Sequence, residues 1–116
     1  MANKTNTSNP IENLVLELRR GTLVLTVLSQ LQEQQYGYSL KEVLAESGVE
    51  IDQGTLYPLL RRLEKQGLLD SEWSVEGPRP RRYYVVNETG KQALQAMTRE
   101  WDELTRAVDR LLLASR

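Results

Sequence analysis

The sequence contains no cysteine and no histidine. These absences exclude disulfide bonds, thiol nucleophiles, zinc sites built from Cys or His, and general-base catalysis by His. Carboxylates are plentiful, but no paired-acid, nucleophile or metal-ligand pattern accompanies them. We therefore expect a protein that is not an enzyme and that needs no cofactor.

Long hydrophobic runs are also missing. The longest, Leu23–Leu28, is interrupted by Thr26 and is far too short to cross a bilayer. Residues 1–10 are polar and lack the apolar core of a targeting sequence. With 116 residues and 40% hydrophobic content, the chain fits one small globular domain. We expect a cytoplasmic protein without a membrane segment, beginning with a flexible polar arm over residues 1–10.

Apolar residues at helical spacings predict three helices in the first half of the chain. The first runs from about Ile11 to Glu33, peripheral at its start and buried later, with Gly21 as a weak point. Ser39 is the predicted N-cap of the second helix, which Gly48 ends. Asp52 is the predicted N-cap of the third, which Gly67 ends. Its buried stripe consists of Leu56, Leu59, Leu60 and Leu63.

After Gly67 the apolar period becomes alternating, which indicates a β-hairpin. Leu69, Trp73 and Val75 fit one face of a first strand, and Arg82–Val86 forms the second. Trp73, Tyr83 and Tyr84 are interpreted as hairpin core or as packing against the third helix, and Asn87 can cap a last helix. The predicted fold is mainly α (α+β). It is a winged helix-turn-helix over residues 11–87 with a two-stranded wing, followed by a long C-terminal dimerisation helix over residues 88–116.

The third helix carries a face suited to DNA. With 100° per residue, Gly54, Pro58, Arg61 and Lys65 lie opposite the leucine stripe. A slim leading end can approach base edges in the major groove, and cations further along can reach phosphates. Pro58 leaves two alternatives open: the helix is kinked there, or it starts at Pro58 and a tighter turn precedes it.

The segment Gly77–Arg82 holds three arginines and two prolines, and therefore presents cations on a stiff hairpin tip. Such a tip suits phosphate or minor-groove contact. The alternative is that these charges only form a solvated surface and keep the hairpin edge unpaired. The predicted partner is double-stranded DNA, and the predicted contacts are Tyr38, Ser39, Gln53, Gly54, Thr55, Tyr57, Arg61, Arg62, Lys65, Arg79, Arg81 and Arg82.

The last helix carries an apolar seam with alternating spacings of three and four residues. The seam consists of Leu94, Met97, Trp101, Leu104, Val108 and Leu111. A small domain cannot easily cover it, so we expect a homodimer, with Ile11, Leu14 and Leu18 of the first helix as a second contributor.

Several segments resemble the PadR family of transcriptional regulators. The matches include Arg20–Leu23, Tyr36–Tyr38, Gly54–Glu64 and Gly77–Tyr84. The resemblance implies a dimeric winged helix-turn-helix protein whose third helix continues through Pro58 into the major groove. With its single C-terminal helix, the chain is similar to the small subgroup of this family. A His that often precedes the Gly-Tyr pair in the family is replaced by Tyr36 here.

The subgroup resemblance gives Trp101 two interpretations. It is either an anchor of the dimer interface, which we favour, or a stacking surface for a planar effector beside Met97. The leading hypothesis for the chain is a repressor that such a molecule relieves. The alternative is a winged-helix interaction module that regulates another protein.

Overall fold

The structure, a computed structural model, describes residues 9–115. Within these residues, five helices and three strands follow one another as α1 (Pro10–Arg20), α2 (Leu23–Gln30), β1 (Gln35–Tyr36), α3 (Gly37–Glu46), α4 (Gln53–Lys65), β2 (Leu69–Ser74), β3 (Arg81–Val86) and α5 (Glu88–Ala114). Most of the predicted arm lies outside the described residues. Of that arm, Asn9 caps α1 through its side chain, and Pro10 is the first helical residue.

The predicted single helix from Ile11 to Glu33 is wrong, because the chain breaks at Gly21–Thr22 into α1 and α2. Both the N–H and the hydroxyl of Thr22 donate to the carbonyl of Arg19, at 3.1 and 2.9 Å. This i to i−3 turn replaces the helical hydrogen bond at a position where Gly21 already weakens the helix. The helix also ends at Gln30, three residues earlier than predicted.

The expected difference in burial along this segment is confirmed. Every residue of α1 is exposed, whereas Val27 and Leu28 of α2 have no exposed surface. The core they enter also takes leucines from α3 and the four-leucine stripe of α4, all of it less than a tenth exposed. The remaining core residues are Leu31, Ile51, Leu69, Tyr84 and Val86.

The start of α3 differs from the prediction. Tyr36 is the cap residue, and Ser39 lies inside the first turn, where its hydroxyl donates to the carbonyl of Tyr36 at 2.9 Å. Ser39 thus bonds to the turn behind it instead of capping the helix. The end is as predicted, since Gly48 follows the helix with a φ of +91°, a value that favours glycine.

The wing is an antiparallel pair of β2 and β3, with Leu69 opposite Val86 and Ser74 opposite Arg81. A third strand that the sequence did not predict, β1, pairs with the other edge of β3. Two residues are too few to show an alternating period, so no signal in the sequence identified it.

The expected burial of the hairpin face holds only at its base. Leu69 is 2% exposed, but Trp73 on the same face is 61% exposed, and Val75 lies beyond the strand with 78% exposure. The interpretation of Trp73 as core is therefore wrong. Exposure rises along this face from Leu69 to Trp73, so Trp73 lies beyond the edge of the core.

Candidate nucleic-acid interface

Helix α4 begins where the sequence predicts it. Asp52 caps the helix by accepting the N–H of Thr55 at 2.8 Å. The helix runs continuously from Gln53 to Lys65 with Pro58 inside it, so the alternative of a helix that starts at Pro58 is wrong. Pro58 has no N–H to donate to the carbonyl of Gly54, but both residues are exposed, so water can satisfy that carbonyl.

The two faces of α4 separate as predicted. The four leucines are buried, whereas the opposite residues are exposed. Exposed residues of the predicted DNA-contact set on this helix are Gln53, Gly54, Thr55, Arg61, Arg62 and Lys65. Arg61, Arg62 and Lys65 make no ion pair within the described residues. The helix thus offers a polar leading end and three cations on a free surface.

Tyr57 lies at the edge of this face and is half-buried. Its ring packs against Gly37 so closely that any side chain at position 37 would collide with it. The glycine of the Tyr36–Tyr38 segment is therefore explained by packing: it gives the tyrosine of α4 a place at the start of α3. This contact fixes α4 relative to α3.

Tyr38 and Ser39, the remaining predicted contacts on helices, lie at the start of α3. Tyr38 is exposed and Ser39 half-buried. A hydrogen bond with the Glu42 carboxylate, together with its charge, raises the pKa of Tyr38. Tyr38 therefore keeps its proton at neutral pH and remains a hydrogen-bond donor.

The three wing arginines differ in their surroundings. Arg79 and Arg81 are exposed, and the Arg81 guanidinium lies 4.4 Å from the centre of the Tyr36 ring. Arg82 is half-buried and its Nη2 donates to Oε1 of Glu64 at 2.9 Å. The prediction grouped all three as DNA contacts, but in this structure one of them already has an acidic partner on α4.

A cleft of about 320 Å³ separates α4 from the wing. Arg61 and Tyr57 line it from the helix, and Trp73, Arg81 and Arg82 line it from the hairpin. The two basic segments that the sequence predicted separately thus face a common space. Tyr84 lies at the base of the cleft, where burial raises its pKa above the ordinary value.

One cation on this side was missed by the sequence reasoning. Arg20, the last residue of α1, lines a surface depression together with Gly54, Thr55, Pro58 and Arg62 of α4. It is therefore adjacent to the leading end of the predicted reading helix. The Arg19–Arg20 pair was a visible charge signal, but only the chain break at Gly21–Thr22 brings it there.

The predicted seam on α5 divides into two parts. Leu94 and Met97 are half-buried against the chain's own core. The distal seam, which we define as Trp101, Leu104, Val108 and Leu111, is 45–70% exposed. The α1 residues Ile11, Leu14 and Leu18 are 64–74% exposed. Two apolar surfaces therefore lack cover within residues 9–115.

Other classes of site find no support in the part of the chain that the structure describes. There, no group of three or more acidic residues is placed to hold a metal ion, and no helix has the length and apolar character needed to cross a membrane.

Comparisons with known proteins agree with this geometry. The model of the PadR-like family of transcriptional regulators matches residues 24–96. A transcriptional regulator of Mycobacterium tuberculosis is 38% identical over 93 residues, covering 79% of this chain and 87% of the relative. A PadR family regulator from Eggerthella lenta has a TM-score of 0.83 at 51% identity, covering 88% of this chain and 91% of that one.

A PadR-like regulator from Bacillus cereus has a TM-score of 0.72 at 28% identity, covering 83% of this chain and 96% of that one. The matched family residues include α4 and the whole wing, on which the predicted interface depends. The winged helix-turn-helix fold is confirmed, and the chain belongs to the PadR-like family of transcriptional regulators.

Proposed function

We propose that this regulator is a homodimeric repressor that binds a pseudo-palindromic operator in double-stranded DNA. The observation that carries the proposal is α4, whose leucine face is buried while its opposite face combines an open leading end with Arg61, Arg62 and Lys65. Major-groove reading needs a helix with this division of faces. The alternative of an interaction module has no comparable feature in its favour.

The wing supplies the second contact in this proposal. Arg79 and Arg81 are exposed beside the cleft that separates the hairpin from α4. Cations on a wing that faces the reading helix across a cleft suit the phosphates next to the major groove. Arg20 joins the proposed contact surface, because it lies beside Gly54 and Thr55 at the leading end of α4.

Dimerisation through α5 supplies the second half-site. The distal seam and the apolar residues of α1 are exposed in a single chain, and a two-fold partner is the simplest way to bury both. Two copies of α4 related by such an axis would read two half-sites, which is why the proposed operator is pseudo-palindromic.

Trp101 is proposed primarily as an anchor of this interface. It is 45% exposed at the proximal end of the distal seam, and Met97 precedes it by one helical turn. A planar effector that stacks on Trp101 would have to enter between two copies of α5. The two interpretations differ in outcome, because a ligand of that kind releases the dimer from DNA, whereas an anchor only affects assembly.

The test is fluorescence anisotropy with a duplex taken from the promoter of the regulator's own gene, against an excess of unrelated DNA. We expect binding that survives the competitor and weakens steeply with salt. Arg61→Ala should weaken it by roughly 10- to 100-fold without lowering the thermal midpoint. Equal affinity for unrelated duplexes would contradict a specific repressor. A promoter–reporter assay then distinguishes repression from activation.

A further inference from the structure

Arg82 is embedded in a closed polar cluster, unlike the other cations of the wing. Its Nε donates to Oγ of Ser71 at 3.0 Å, and its Nη2 donates to Oε1 of Glu64 at 2.9 Å. The Ser71 hydroxyl donates to the second carboxylate oxygen of Glu64 at 2.6 Å. The three side chains therefore satisfy one another across α4, β2 and β3.

Two aromatic rings also lie close enough to the guanidinium for cation–π attraction. Its carbon lies 5.7 Å from the centre of the Trp73 ring and 5.6 Å from that of Tyr84. Only about a third of the Arg82 and Glu64 side chains is exposed, 35% and 29%. A cation in this position would have to give up both the carboxylate and the rings to reach a phosphate.

The cluster lies where the apolar core ends. Leu69 and Val86, at the base of the hairpin, are buried, but Trp73, four residues further along the strand, is 61% exposed. Apolar packing therefore fixes the base of the wing and leaves its outer half to other contacts. The Glu64–Ser71–Arg82 cluster provides such a contact with α4, one turn of helix away from Arg61.

We propose that Arg82 is a positioning residue, which fixes the angle of the wing to the reading helix through Glu64 and Ser71 and makes no DNA contact of its own. The proposal rests on the DNA-binding function proposed above. It reassigns Arg82 from the predicted contact set and adds Glu64, an acidic residue on the reading helix, to the residues required for binding.

Glu64→Gln distinguishes phosphate contact by Arg82 from positioning by Arg82, because the two roles predict opposite changes in DNA affinity. If Arg82 contacts phosphate, removing its carboxylate partner frees the cation and removes a negative charge near DNA, so binding tightens. If Arg82 positions the wing, binding to the promoter duplex weakens, by roughly three- to thirtyfold. Glu76→Gln is the matched control, because it removes an exposed carboxylate outside the cluster and should leave affinity unchanged or slightly higher.

The salt dependence gives a second readout. Each phosphate contact contributes about 0.9 to the slope of log affinity against log salt, so losing one contact per protomer lowers the slope by about 1.8 in a dimer. We expect this loss for Arg79→Gln. For Arg82→Gln we expect an unchanged slope, because the loosened wing must be ordered on binding but then makes the same phosphate contacts. Arg82→Lys should fail to restore affinity, since an ammonium cannot bridge Glu64 and Ser71 as the planar guanidinium does. A reduced slope for Arg82→Gln, or full rescue by Lys, overturns the proposal.

Hydrogen exchange separates this proposal from the function on which it rests. Glu64→Gln should speed amide exchange in the outer half of β2 and β3 and leave α2 and α3 unchanged, with no DNA present. Unchanged exchange in the hairpin contradicts positioning. The two proposals can fail separately. If the wild-type protein binds no DNA specifically while Glu64→Gln still speeds exchange in the hairpin, the repressor function is contradicted and the cluster's structural role stands.

Discussion

At the scale of single residues, the contact between Gly37 and Tyr57 joins the start of α3 to α4. A methyl group at position 37 would collide with the Tyr57 ring. We expect Gly37→Ala to lower the free energy of unfolding by about 1–3 kcal/mol, because the half-buried ring must move. Urea denaturation at a fixed protein concentration measures this.

A double-mutant cycle isolates the cause. In a Tyr57→Ala background the ring is absent, so Gly37→Ala should cost much less than in the wild type. An equal cost in both backgrounds would show that the alanine disturbs the backbone instead of the ring.

Gly54 is the opposite case, a glycine with space around it. Among the residues that the structure describes, a Cβ at this position meets only the Asp52 carboxylate, at 3.5 Å. Gly54→Ala should therefore keep or raise the stability, by up to about 1 kcal/mol, because alanine is the better helix former. Operator binding should fall by roughly tenfold, since a methyl group then separates the leading turn of α4 from base edges. Anisotropy and denaturation on the same sample test both effects, and undiminished affinity would place the DNA further from Gly54.

At the scale of elements, α1 is a helix without a buried residue. Its own chain gives it little protection, so its order in solution depends on what covers Ile11, Leu14 and Leu18. We expect α1 amides to exchange slowly in the dimer and rapidly after dissociation, whereas α2, with Val27 and Leu28 buried, stays protected in both. Hydrogen exchange followed over a dilution series measures this. Slow exchange of α1 in a proven monomer would contradict it.

At the scale of the whole molecule, the distal seam on α5 determines the oligomeric state in our proposal. Leu104→Glu places a charge in the middle of it, and we expect a monomer in sedimentation analysis together with loss of cooperative operator binding. Gln95→Glu is the matched control, because it adds the same charge on the opposite side of α5. A dimer that persists in Leu104→Glu would place the interface elsewhere.

Several elements could be predicted from local sequence because a local rule decides each of them. Asp52 caps α4 by bonding three residues ahead, and the leucine stripe marks the buried face of that helix by its period. Gly67 and Gly77 adopt positive φ values, at the end of α4 and at the tip of the wing. Residue type and spacing are sufficient for such features.

Other features depend on residues far apart in the chain. Strand β1 forms because Gln35 and Tyr36 pair with an edge of β3. Two residues are too few to show a strand period in the sequence. The break between α1 and α2 follows from hydrogen bonds of Thr22 that compete with a continuing helix. Trp73 fits the apolar pattern of its strand but lies beyond the end of the core. The pattern within one strand does not show where the core ends, because other elements form that boundary.

The sequence by itself determined the faces of α4, the hairpin, the last helix and the family, because these follow from periodicity, caps and a recognisable motif. Tertiary structure decided which cations are free. Arg61 and Arg79 remain exposed, Arg20 is brought beside α4, and Arg82 is held by Glu64. The physical reason is that a charge is defined by its residue, whereas its partners are supplied by whichever elements the fold brings within hydrogen-bonding distance.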